Sequence, residues 1–164
     1  MPSLIPYPNH VSYPLLTNEL FSLHINLTHG KLFIFMQLHQ DIVNTQNLPH
    51  TYAILQKTLP TILRATCFNE GNIPFCKEVR RTEIGHLFEH ILLEYLCKEK
   101  LLAGAKRAMF EGVTDWNWEK EPYGSFHITI PFTEGDADFF PIALKKSMQL
   151  LNVILKPSIS PTIN

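Results

Sequence analysis

The chain has 164 residues, 45% of them hydrophobic and 18% charged, with a formal net charge of −1. That is the size of one domain with enough apolar side chains to build a core, which excludes wholesale disorder. The near-neutral charge excludes bulk electrostatic binding of nucleic acid, no apolar run approaches the roughly 18–20 residues that span a bilayer, and the opening MPSLIPYPNHVSYP has neither the basic nor the apolar region of a secretory signal, so the expected compartment is the cytoplasm.

Residues 1–18 hold four prolines and read as an irregular arm, residues 19–155 as a single domain, and residues 156–164, KPSISPTIN, as a flexible tail. In the run from Leu20 to Thr28, Phe21, Leu23, Ile25 and Leu27 alternate with polar residues, which predicts a half-buried strand. His29-Gly30-Lys31 supplies a turn, and Leu32 to Leu38, apolar on both sides, predicts a more central partner strand. Residues from about His50 to Arg64 read as helix, with Pro60 starting a second short turn, and residues 67–79 as a loop. Thr82 and Glu83 open the strongest helix of the chain. Its apolar positions Ile84, Leu87, Phe88, Ile91, Leu92 and Tyr95 recur at helical spacing, and Gly104 stops it. A strand is expected over about Arg107–Thr114 and another over Ser125–Phe132. A last helix should start near Gly135-Asp136 and run to about Leu155. The order β-β-α-α-β-β-α predicts an α+β fold, a two-layer sandwich of antiparallel hairpins with helices on one face.

Three cysteines, Cys67, Cys76 and Cys97, are too few for a disulfide framework and contain no C-x-x-C pair. Eight histidines justify a search for a metal site, and the strongest helix contains one. Gly85-His86-Leu87-Phe88-Glu89-His90 carries H-x-x-E-H. Four residues apart on a helix, His86 and His90 project one turn from each other, and neutral imidazoles are good zinc ligands. Glu89 flanks the pair and has the chemistry of a catalytic general base. This is the inverted zincin signature. The histidines point away from the apolar stripe of their own helix, yet Leu93 and Cys97 share their side, which predicts a partly enclosed cleft rather than open solvent. Glu94 is roughly 12 Å from His86 by helical rise, so it is read as a group orienting His90 rather than as a ligand. The third zinc ligand must come from another element. Cys67 is the leading candidate, with His24, His127, Glu111 and Asp115 as further options.

The run Thr82-Glu83-Ile84-Gly85-His86-Leu87-Phe88-Glu89-His90-Ile91-Leu92-Leu93-Glu94 resembles the G-H-x-x-E-H-x-x-x-E helix in the N-terminal domain of cyanophycin synthetases. That family carries a Cys-x-x-Gly loop before the helix. Cys67 and Gly71 stand there one residue further apart. Gly112-Val113-Thr114 and Ser125–Phe132 fit the G-x-T-like stretch and strand that follow. The resemblance implies an α+β domain that holds an Asp-Arg polymer or, in some members, acts as a zinc peptidase cutting it. It carries over His86, Glu89, His90 and Glu94. The chain has no ATP-grasp or ligase region and no phosphate-binding P-loop.

The leading expectation is a zinc-dependent peptide or amide hydrolase acting on a peptide or cyanophycin-like Asp-Arg polymer. Glu111, Asp115, Glu119 and Glu121 are candidates to hold cationic side chains. The alternative is a non-catalytic peptide- or polymer-binding module, with Trp116, Trp118 and Tyr123 as a binding platform. A weaker third reading makes Cys67 a nucleophile with a histidine base. An oligomer is possible under any of them.

Overall fold

The computed structural model describes residues 10–67 and 71–156. Six strands form one antiparallel sheet: β1 (His10–Ser12), β2 (Leu16–Thr17), β3 (Phe21–Thr28), β4 (Lys31–Leu38), β5 (Val113–Asp115) and β6 (Ser125–Pro131). Their order is β1-β3-β4-β6-β5, with β2 also paired to β3. The helices are α1 (Thr51–Thr58), α2 (Phe75–Glu78), α3 (Ile84–Leu102) and α4 (Phe140–Leu155), with short 3-10 turns at Pro60–Arg64 and elsewhere. The architecture is the expected α+β sandwich.

The alternation of the strands decides which face is covered. Phe21, Leu23, Ile25 and Leu27 on β3, Leu32, Ile34, Met36 and Leu38 on β4, and Phe126, Ile128 and Ile130 on β6 are buried against the helices. Between them, His24, Phe33 and His127 face outward and are exposed. His29 and Gly30 both take positive φ, 49° and 74°, so β3 and β4 join through a two-residue turn that matches the twist of the strands.

Three sequence expectations are corrected. The proline-rich arm is not irregular from His10 onward. Val11 pairs with Leu27 and Leu16 with Leu23. Pro14 interrupts this pairing, and an edge position tolerates a residue that cannot donate. The expected strand over 107–114 shrinks to Val113–Asp115, because only these residues find partners on β6. The stretch 67–79 is not all loop. Fully buried Phe75 anchors the one-turn helix α2. Residues 1–9 of the arm and 157–164 of the tail lie outside the described residues.

The start of α3 is fixed with little freedom. Ile84 N–H donates to the Val43 carbonyl, Thr45 N–H to the Thr82 carbonyl, and Thr82 N–H to Thr45 Oγ1. Gly85 then lets the first turn of α3 touch β6. A Cβ there would lie 2.3 Å from Phe126 Cγ, closer than any real contact. No helix among the described residues is long and apolar enough to cross a membrane.

Candidate metal centre

The histidines of α3 lie under cover rather than in solvent. Phe75 of α2 stacks on the His90 ring at 4.1 Å between centroids, with 23° between planes, and meets His86 edge-on at 6.4 Å. His90 and Glu89 are buried. The enclosed cleft expected from Leu93 and Cys97 therefore exists, and Phe75 of α2 covers it.

Cys67, on the segment before α2, is brought to the same point. Its Sγ lies 3.5 Å from His86 Nε2, and His86 Nε2 lies 3.1 Å from His90 Nε2. The three donor atoms all fall within 4.8 Å of one another. A tetrahedral zinc site puts nitrogens about 3.3 Å apart and sulfur about 3.6 Å from nitrogen, so the His86–His90 and Cys67–His86 spacings match that ion. The ligand chemistry also fits. Burial lowers the pKa of His86, and burial followed by the charge of His86 lowers that of His90 to about 3. Both rings are thus neutral near pH 7, the form that ligates a metal. Thr82 Oγ1 lies 2.8 Å from His86 Nδ1. Accepting the Nδ1–H proton there leaves the Nε2 lone pair facing Cys67 and His90.

Glu89 stands beside this trio, at the wall of a cavity of about 490 Å³ lined by Thr66, Glu89, His90, Leu93 and residues 110–113. Thr114 Oγ1–H donates to Glu89 Oε2 at 2.5 Å. On the other oxygen, Gly112 leaves room that no side chain would, since a Cβ would lie 2.9 Å from Oε1. Burial pushes the Glu89 carboxyl up to about 7. The Thr114 hydrogen bond opposes that rise and the charge of Asp115 adds to it.

The remaining sequence candidates are placed elsewhere or differently. Among the described residues Glu94 makes no hydrogen bond to His90. Its charge acts instead on Cys97, whose thiol burial pushes up. His24 is exposed on the open side of the sheet. His127, on the same side, bonds Glu121 at 2.6 Å and packs on Phe35. Of the four acidic residues proposed to hold cations, only Glu111 lines the cavity. Asp115 pairs in register with His127 on the open face, and Glu119 is exposed outside the cavity lining. Trp118 packs on Phe126 and donates its Nε1–H to the Ser125 carbonyl, so it closes the end of a hairpin, while Trp116 and Tyr123 stay exposed.

Sequence reasoning missed Thr82 and Phe75, and it noted Thr114 and Gly112 only as part of a family-like stretch. The four-residue step from Thr82 to His86 was the available signal for the first. Nothing local marks Phe75. No protein-family model, curated protein or solved structure matches the chain.

Proposed function

We propose that the chain is a zinc-dependent hydrolase of peptide or amide bonds, with His86, His90 and Cys67 as ligands and Glu89 as the proton-transferring group. The convergence of Cys67, His86 and His90 beside a buried carboxylate that shares the His90 cavity is the observation that supports it. A zinc ion held there supplies Lewis-acid chemistry. The chain's own groups do the rest. Thr114 fixes Oε2 of Glu89, and Gly112, with no Cβ, leaves the space beside Oε1 free of a side chain. A carboxyl titrating near neutrality takes a proton from water at Oε1 and returns it to the departing amine. The substrate class, an Asp-Arg polymer or another peptide, follows the resemblance to the cyanophycin synthetase domain and is part of the proposal. Glu111 at the cavity is the group that would receive a cationic side chain.

The test pairs metal content with turnover. Wild-type protein should carry about one zinc per chain, and His86→Ala/His90→Ala none. Glu89→Gln should keep its zinc and lose roughly 10²–10⁴-fold in hydrolysis of the Asp-Arg polymer or of mixed peptides. Full activity in Glu89→Gln sinks the mechanism.

The 3.5 Å approach of Cys67 to His86 supports a second reading, in which Cys67 is a nucleophile, His86 its base and Thr82 the group orienting that base. It gives His90 no chemical task. Activity that survives complete removal of metal would select it.

A further inference from the structure

Strand β5 ends the sheet on the side of the candidate centre. Its register places Val113 opposite Thr129 and Asp115 opposite His127. Neither Gly112 nor Trp116 makes a main-chain hydrogen bond across to β6. The Val113 and Asp115 pairs are therefore the hydrogen-bonded ones. Thr114 between them turns its N–H and C=O out of the sheet edge, while its side chain reaches Glu89. Gly112, two residues earlier, has its main chain on the same side and makes no main-chain hydrogen bond among the described residues.

This edge, unpaired among the described residues, borders the cavity at Glu89 and His90, with Thr66 among the residues lining it. Edge strands are usually blunted by lysine, proline or a covering element. The segment Phe110-Glu111-Gly112-Val113-Thr114 has neither residue type, and its glycine leaves the backbone approachable. We propose that an extended polypeptide docks here, its main chain pairing with the Gly112–Thr114 edge so that one of its amides passes Glu89 Oε1. The inference rests on the hydrolase reading and adds the mode of recognition. Affinity comes from main-chain hydrogen bonds, with Glu111 favouring Lys or Arg side chains at one position.

Amide hydrogen exchange of Glu89→Gln protein tests it, with wild type measured alongside should the variant fail to fold. The probe is a random hexapeptide library, acetylated and amidated at its ends, beside the same library N-methylated at its amides. Exchange at Gly112 and Thr114 should slow at least tenfold with the first library and stay unchanged with the second. Slowing at other sites alone, equal effects of both libraries, or no effect at millimolar concentration would overturn the proposal. Edge protection without wild-type hydrolysis would leave the docking intact and remove the hydrolase reading. Hydrolysis without edge protection would do the reverse.

Discussion

The open face of the sheet and the helix-covered side carry the same residue types and use them differently. On the open face, His24 and His127 stand in solvent, and His127 leans on Glu121 and Phe35. Against the covered face, His86 and His90 are desolvated, held neutral, and share one point with Cys67. What separates them is burial beside a second donor. An exposed imidazole is held by water and a carboxylate, while an enclosed pair, one buried and one half-buried, with its N–H groups partly committed, has lone pairs left for an ion. Of the eight histidines, enclosure is what distinguishes these two.

Phe75 covers both histidine rings, so Phe75→Ala should show the biggest effect. Phe75 is fully buried and stacks on His90. Truncating a buried phenylalanine costs about 3–5 kcal/mol, and the cover over the histidines would loosen with it. Urea unfolding of zinc-free protein measures the first, and zinc affinity at a temperature where the variant is folded measures the second. A loss under 1 kcal/mol with unchanged affinity would show that α2 does not enclose the centre.

The covered face should also govern how stability responds to pH. Glu89 has its carboxyl raised from 4.5 to about 7, so it favours the folded state fully below pH 4.5, and that support is lost as pH rises toward 7. His90 runs the other way. Its pKa is depressed from 6.5 to about 3, so its support is complete above 6.5 and is lost as pH falls toward 3. Between pH 4.5 and 6.5 the two slopes oppose each other in metal-free protein. Glu89→Gln removes one of them. Its stability relative to wild type should rise by on the order of 3 kcal/mol between pH 4.5 and 7.5 in the presence of chelator. A difference that is flat, or that falls, would mean that Glu89 is not buried as a neutral acid.

How much of this was readable beforehand follows the range of the interactions. The apolar stripe of α3 and the alternation of β3 and β6 are local patterns, and they appeared where expected. H-x-x-E-H is also local, since four residues are one turn, whereas the approach of Cys67 to His86 is made across the chain from the segment before α2. The arm failed for the opposite reason. Its prolines gave a strong local signal for irregular chain, while its pairing with β3 is a long-range fact. Glu94 continues the helical row of the histidines, but the groups that hold those rings, Thr82 and Phe75, come from outside α3. The outward turn of Thr114 depends on register with β6, which no spacing within the strand expresses.

The smallest effect belongs to the open face, and it tests whether the contrast is real. His127 and Glu121 form a short contact, yet their side chains are 50% and 35% exposed. Water solvates both partners well when they part, and holding two side chains in one geometry costs entropy. Such pairs are worth about 0–1 kcal/mol. His127→Ala should therefore lower the unfolding free energy measured in urea by about 0.5 kcal/mol or less and leave zinc content at the wild-type value. The Phe35 ring loses one neighbour but stays on a face already wet. A loss above 2 kcal/mol, or any loss of metal, would tie the two faces together through β6, whose Ile128 lies opposite Thr114 while His127 lies opposite Asp115. Enclosure would then no longer account for the difference between the two histidine pairs.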